Sequence, residues 1–186
     1  MAFQFKIQLM EITDPPVWRR LSVPEQFTFH RFHSVIQAAF GWRNAHLFQF
    51  APSERNSRTV IAVPNPEWDK EPVLDSKKTR LSDFFLAPKQ KFVYLYDFGD
   101  SWIHAITLEE VLEEKNLRAD CLAGKGACPP EDCGGSPGYA NLKEILRDPK
   151  HSEHSEMKEW IGLTQSQNWD AEYFNLEKVR AAIQKI

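Results

Sequence analysis

The sequence predicts an α+β domain with a mainly antiparallel sheet of five or six strands, one N-terminal helix and C-terminal helices packed on the sheet. Strand-type patterns dominate the first part of the chain, and helix-type patterns dominate its end. The 186 residues, with an apolar fraction of 42%, suffice for one packed core. We therefore expect residues 1–186 to form a single domain.

Two strands are expected to begin the chain. Polar and apolar residues alternate from Phe3 to Met10, which is typical of a half-buried strand. Pro15 and Pro16 then remove two backbone donors, so the strand ends before them. Residues 17–23 predict a second strand, and the two strands are expected to pair as a hairpin.

The first helix is predicted over residues 28–40. Thr28 is a suitable N-cap, and Gly41 suits the left-handed residue that ends a helix. His30, His33 and Gln37 lie away from the apolar face. A polar helix surface is preferred there over a metal shared by His30 and His33. The apolar face consists of Phe29, Phe32, Ile36 and Phe40.

The remaining elements follow from shorter patterns. Alternation predicts strands at residues 46–50 and 59–63, and residues 81–86 predict a brief helical turn. Helical spacing predicts three C-terminal helices, at residues 141–146, 153–161 and 176–186.

A hairpin is predicted where two strand patterns flank Gly99 and Asp100. Glycine followed by aspartate between such patterns is typical of a two-residue II′ turn. In that register Asp97 faces Trp102, and His104 shares their surface. The aromatic residues Phe92, Tyr94 and Tyr96 are then expected on the opposite surface.

The charge and hydropathy of the chain bear on its partners and location. The net charge is −3, with 23 basic and 26 acidic residues, whereas proteins that coat a duplex usually carry a basic surplus. No run approaches the ~18 apolar residues that span a membrane, and the N-terminus lacks a secretory signal pattern. We expect a cytoplasmic protein with no membrane partner.

The three cysteines, Cys121, Cys128 and Cys133, are an odd number and cannot form a complete disulfide framework. They are candidate zinc ligands, although a strong zinc motif pairs cysteines two residues apart. Packing of small thiols beside the core is the preferred interpretation. No cofactor is therefore expected, with zinc at these cysteines as the alternative.

The run ACPPEDCGGSPGY, residues 127–139, is too rich in proline and glycine for a helix or a regular strand. Its residues 128–134 are called the PPED bend below. We expect a rigid connection between sheet and helices, in which Gly134, Gly135 or Gly138 has a positive φ.

A candidate cleft joins the predicted hairpin to the PPED bend. A carboxylate near an imidazole favours the charged form of each and can orient the ring for acid-base chemistry or metal binding. The simpler alternative is a pair of polar groups that satisfy each other at the sheet surface, and this alternative is preferred. The cleft residues are Asp97, Trp102, His104, Glu131 and Asp132.

The motifs of several enzyme classes are missing from the sequence. It contains no G-x-x-x-x-G-K-[ST] and no H-E-x-x-H. These two absences give no indication of nucleotide hydrolysis or zincin chemistry, and an enzymatic role is not favoured.

Longer blocks, taken together, resemble the plasmid pRiA ORF-three-like family. They are PPVWRRLSVP, FHSVIQAAFGWRNAHLFQF, YLYDFGDSWIHAITLE, CLAGKGACPPEDCGGSPGY and a late WIG. The resemblance implies a protein found on plasmids and mobile elements, sometimes labelled a TnpR-type resolvase. We do not expect that label to hold, because these blocks contain no basic helix-turn-helix pattern.

Two functional hypotheses follow. The first is a binding or adaptor module associated with plasmids or mobile elements, whose aromatic strands receive a protein, peptide or nucleic-acid partner. The second is a small hydrolase, metal-dependent in one version, that uses the histidine and acids near the PPED bend. Binding is preferred because the sequence identifies no pair of nucleophile and base.

Overall fold

The α+β class is confirmed by a computed structural model, which describes residues 1–54, 57–67, 69, 71–113 and 117–186. Among these residues one sheet of eight strands and four α-helices surround a single apolar core. The strands are β1 (Ala2–Thr13), β2 (Pro16–Pro24), β3 (Phe48–Ala51), β4 (Ile61–Ala62), β5 (Leu74–Asp75), β6 (Lys91–Tyr96), β7 (Trp102–Leu112) and β8 (Asp120–Lys125). The helices are α1 (Phe29–Phe40), α2 (Gly135–Arg147), α3 (His154–Trp160) and α4 (Leu176–Ile183).

The sheet is larger than predicted, and it is mixed. Its spatial order is β5-β4-β3-β6-β7-β1-β2-β8, and every pairing is antiparallel except that of β4 with β5. The prediction of five or six strands is wrong because β5 and β8 do not alternate in sequence. Strand β5 has two residues, and β8 reads DCLAGK at an edge of the sheet, where only one neighbour constrains it.

Strand β1 shows how one sheet face becomes the core. Phe5, Ile7 and Leu9 are fully buried, whereas the intervening Lys6 and Gln8 are half-buried on the other face. Successive side chains of a strand point to opposite faces, so the alternation seen in sequence places the apolar set inward.

Helix α1 begins and ends as predicted. The Thr28 hydroxyl accepts a hydrogen bond from the Arg31 amide at 3.3 Å, and Gly41 adopts φ 84°. The expected polar surface is wrong for His33 and Gln37, however, because both side chains are buried. They are buried because each finds polar partners inside the domain, described below.

The register of the β6–β7 hairpin differs from the prediction by one residue. Tyr96 pairs with Trp102 and Tyr94 pairs with His104, which leaves a five-residue connection from Asp97 to Ser101. Both end residues of that connection have positive φ, so the strands stop earlier than a two-residue turn requires. A slip of one residue moves every side chain to the other face, which puts Trp102 and His104 in the core.

The PPED bend leads into a helix that begins earlier than predicted. Helix α2 starts at Gly135 rather than at Asn141, because a proline in the first helical turn, here Pro137, costs no hydrogen bond. The predicted positive φ is confirmed at Gly134 and Gly135. A Cβ on Gly135 would lie 2.7 Å from the Asp100 carbonyl oxygen, so glycine also permits close contact with the hairpin.

Within the described part of the chain, no helix has the length and apolar character needed to cross a bilayer.

Candidate functional site

Four side chains from three loops converge at one end of the sheet. We call them the His46 cluster, and its members are His46, Asp97, Glu131 and Asp132. His46 Nε2 lies 3.1 Å from Asp132 Oδ1, 3.5 Å from Asp97 Oδ2 and 4.0 Å from Glu131 Oε2. His46 belongs to the connection between α1 and β3, Asp97 to the β6–β7 connection, and the other two residues to the PPED bend. The site is therefore built by tertiary structure rather than by one motif.

A buried polar network joins α1 and β6 to Asn44, which lies in the connection between α1 and β3. His33 Nε2 donates to Asn44 Oδ1 at 2.7 Å, and the backbone N–H of Asn44 donates to Gln37 Oε1 at 2.8 Å. Tyr94 completes the network because its hydroxyl donates to His33 Nδ1 at 2.8 Å and accepts from Gln37 Nε2 at 3.0 Å. Burial lowers the pKa of His33 to about 4, so the ring is neutral and keeps one tautomer.

The PPED bend folds back over this loop through three hydrogen bonds. Trp42 Nε1 donates to the Pro129 carbonyl at 2.9 Å, and the Arg43 amide donates to Glu131 Oε1 at 2.8 Å. The Tyr96 hydroxyl donates to Glu131 at 3.0 Å. Burial raises the pKa of Tyr96 well above its usual value, so this hydroxyl remains a donor. These contacts hold Glu131 in place beside His46.

The Asp97 side chain is oriented by its own turn. Its Oδ1 accepts hydrogen bonds from the amides of Gly99 at 2.9 Å and Asp100 at 3.3 Å. The other oxygen, Oδ2, is the atom directed towards His46. The Asp100 carboxylate in turn accepts from the Gly134 amide at 3.1 Å, which ties the hairpin to the PPED bend.

Negative charge exceeds positive charge in the His46 cluster. The side chains of Asp97 and Glu131 are only 9% and 8% exposed, whereas Asp132 is 71% exposed. The imidazole of His46 is the basic group at their centre. Carboxylates removed from water are stabilised by a nearby cation, so the electrostatics of this site favour a positively charged ligand.

A groove runs from the PPED bend to the end of α3. It encloses about 420 Å³. Its lining combines the acids Glu131 and Asp132 with the guanidinium-bearing Arg43 and two tryptophans, Trp42 and Trp160. Trp160 is 48% exposed, which is unusual for a large aromatic side chain. An acidic and aromatic groove therefore lies directly beside the cluster.

The structure separates the five predicted cleft residues into two groups. Asp97, Glu131 and Asp132 surround His46, as described above. Trp102 and His104 instead lie in the core, and His104 Nδ1 donates to the Trp102 carbonyl at 3.0 Å. Burial lowers the pKa of His104 to about 3, which makes it a neutral core residue.

The three cysteines are spread over the sheet edge and the PPED bend. Cys121 is buried in β8, and Cys128 and Cys133 are partly buried at either side of the two prolines. Burial raises the pKa of each thiol, which favours the protonated form. Among the described residues, the group of three side chains close enough to share a metal is His46, Asp97 and Asp132.

Sequence reasoning missed His46, the central residue of the cluster. No spacing rule marks it, since its partners lie 51 or more positions away along the chain (97 − 46 = 51). The sequence pointed to His46 only indirectly, because this residue lies within the block FHSVIQAAFGWRNAHLFQF that carries the family resemblance.

Comparisons with known proteins agree with that resemblance. The model of the family described as "Plasmid pRiA4b ORF-3-like protein" matches residues 1–178. The uncharacterized protein y4hQ of Sinorhizobium fredii (strain NBRC 101917 / NGR234) is 35% identical over 175 residues, which cover 94% of this chain and 87% of the relative. A crystal structure of the protein of unknown function MM3350 from Methanosarcina mazei Go1 aligns with a TM-score of 0.81 and 34% identity over 95% of both chains. The chain therefore belongs to the plasmid pRiA4b ORF-3-like family.

Proposed function

We propose that the protein is a binding module whose ligand presents a positively charged group to the His46 cluster. The observation that carries this proposal is the convergence of three carboxylates, two of them largely buried, on one imidazole. The relatives are described as uncharacterized or of unknown function.

The electrostatics support a cation in particular. Two unit charges at ~4 Å interact by ~4 kcal/mol at the effective dielectric of a protein surface. Asp97, Glu131 and Asp132 lie about that far or less from the position of the His46 ring nitrogen. A cation entering this space is therefore attracted by several carboxylates, whereas a phosphate group would be repelled by the same residues.

The groove supplies a second means of binding a cation. Trp160 exposes its ring beside Asp132, and indole faces attract ammonium and guanidinium groups. Lysine or arginine side chains of a partner protein can place such groups in the groove. Inorganic cations can reach the carboxylates without using the aromatic wall.

The proposal is tested by titrating the protein with an arginine-rich peptide and, separately, with Zn²⁺, using isothermal calorimetry. Asp132→Asn removes one charge from the cluster, and asparagine tolerates the positive φ of 56° at this position. Glu177→Gln removes the same charge from an exposed position on α4 and serves as the matched control.

At least one of the two cations is expected to bind the wild-type protein, to bind Asp132→Asn more weakly and to bind Glu177→Gln as the wild type does. The proposal fails if neither cation binds, or if both substitutions weaken binding equally.

A further inference from the structure

We propose that the cation held by the His46 cluster is a divalent transition-metal ion, with His46 Nε2, Asp97 Oδ2 and Asp132 Oδ1 as its protein ligands. This inference rests on the proposed cation-binding function and makes it specific. Glu131 lies next to these ligands and neutralises excess positive charge without being one of them.

The ligand atoms already have the spacing that such an ion requires. The bonds from Zn²⁺ to nitrogen and oxygen are ~2.0–2.2 Å, so two ligand atoms of a tetrahedral ion lie ~3.3–3.6 Å from each other. The Nε2 atom lies 3.1 Å from one carboxylate oxygen and 3.5 Å from the other, and all three atoms lie within 4.8 Å of one another. Small side-chain rotations complete the geometry.

The hydrogen bonding of His46 and Asp97 points to a missing partner. His46 Nε2 is shielded from solvent, and no aligned hydrogen bond joins it to a described residue despite the short distance to Asp132. The Asp97 side chain is more than nine-tenths buried, and both hydrogen bonds that it accepts from backbone amides are made to Oδ1. Its Oδ2 is thereby left directed at the cluster.

The residues around the ligands meet the requirements of a metal site. Ligating carboxylates are usually hydrogen-bonded through their other oxygen, as Asp97 is by its turn. The Glu131 carboxylate already accepts hydrogen bonds from the Tyr96 hydroxyl and the Arg43 backbone N–H. These bonds hold its Oε2 atom 4.0 Å from His46 Nε2. The three ligands come from separate loops, so binding one ion would join the hairpin, the α1–β3 connection and the PPED bend.

The donor set selects the class of ion. One imidazole and two carboxylates suit Zn²⁺ or Mn²⁺, whereas Mg²⁺ and Ca²⁺ prefer oxygen ligands throughout and Cu⁺ prefers sulfur. Three protein ligands leave at least one coordination position for water or for a ligand group. Asp132, at the exposed side of the site, also lines the groove and connects the ion to it.

The test uses the chelator-treated full chain and Mn²⁺, whose unpaired electrons broaden nearby amide signals in nuclear magnetic resonance spectra. Substoichiometric Mn²⁺ is expected to broaden the amides of residues 97–100 and 132–134, together with His46. Zn²⁺ is expected to restore these signals by displacing Mn²⁺, as the order of metal affinities predicts.

Asp132→Asn and His46→Gln each remove a ligand and are expected to weaken Zn²⁺ binding by at least ~10–100-fold, the range known for loss of residues that only hydrogen-bond to a ligand. Both residues are at least partly exposed, and Glu177→Gln should leave Zn²⁺ affinity unchanged.

Three results would overturn the metal site: no broadening by Mn²⁺ and no Zn²⁺ binding, broadening centred on other residues such as His151 and His154, or equal Zn²⁺ affinity in Asp132→Asn and the wild type. If the arginine-rich peptide still binds in an Asp132-dependent manner, the proposed cation-binding function survives and only the metal is excluded. If peptide and metal both fail, the proposed function fails as well.

Discussion

His33 and His46 lie thirteen positions apart (46 − 33 = 13) in the same stretch of chain, yet their surroundings differ in kind. Both ring nitrogens of His33 have hydrogen-bond partners, and its ring stacks on Phe48 at 3.6 Å. His46 instead lies among carboxylates, and its buried nitrogen lacks an aligned partner among the described residues. A buried polar group whose hydrogen-bond partners all lie inside the domain supports the fold. A buried polar group that is surrounded by carboxylates but forms no hydrogen bond with them is available to a ligand.

The comparison predicts that core substitutions cost stability and that cluster substitutions cost binding. The largest loss of stability is expected for Phe32→Ala, since Phe32 is fully buried on α1 and its ring lies 4.9 Å from that of Phe5. Removing a buried phenylalanine costs ~3–5 kcal/mol of unfolding free energy. A denaturant titration measures this loss, and a value below ~1 kcal/mol would show that α1 does not pack as described.

Acid is expected to destabilise the core through His33 and His104. Their folded-state pKa values are lowered by burial to about 4 and about 3, whereas an unfolded histidine titrates near ~6.5. Between these values the unfolded chain binds more protons, so stability falls as the pH decreases. Each histidine should cost ~2 kcal/mol at about pH 5.

Urea titrations at about pH 7 and about pH 5 measure this effect. His104→Phe is expected to remove about half of the difference, whereas His151→Gln, at an exposed position, should leave it intact. Equal stability at both pH values would mean that the two histidines are not buried in neutral form.

Tyr94→Phe sharpens the contrast because it removes one oxygen and almost no volume. His33 Nδ1 and Gln37 Nε2 would each lose a buried partner. An unsatisfied buried polar group costs ~1–3 kcal/mol, so we expect a total loss of ~2–4 kcal/mol. Tyr173→Phe, at a half-exposed position, is the control, and a loss as small as that of the control would refute the network.

The smallest effect on stability is expected at the cluster itself. Asp132→Asn should change the unfolding free energy by less than ~0.5 kcal/mol, because the side chain is 71% exposed and asparagine accepts the same backbone conformation. A loss comparable to that of Tyr94→Phe would show that Asp132 supports the fold rather than a ligand site.

The elements that local sequence determines were predicted well. The cap and end of α1 follow from Thr28 and Gly41, which act within one helical turn. The alternation of β1 similarly reports which of its faces is buried. These features depend on neighbours within a few positions, so a single sequence is enough to identify them.

The hairpin register and the site depend on more distant interactions. Asp97 adopts a left-handed conformation stabilised by its own turn, which shifted β7 by one residue and moved His104 from the predicted surface into the core. The predicted acids of the PPED bend do meet Asp97, but around His46 rather than around His104. Which histidine they meet is decided by contacts such as that of Trp42 with Pro129, which no local pattern encodes.

The central claim is that the His46 cluster binds a cation while the His33 network only supports the fold. Thermal unfolding of the wild type, Tyr94→Phe and Asp132→Asn, each with and without Zn²⁺, tests it most directly. Ligand binding stabilises a folded protein by about 2.7 kcal/mol when the free ligand concentration is ~100-fold above Kd. We predict that Zn²⁺ stabilises the wild type and Tyr94→Phe by the same increment and gives Asp132→Asn little or none. An equal increment in Asp132→Asn, or its loss in Tyr94→Phe alone, would contradict this account.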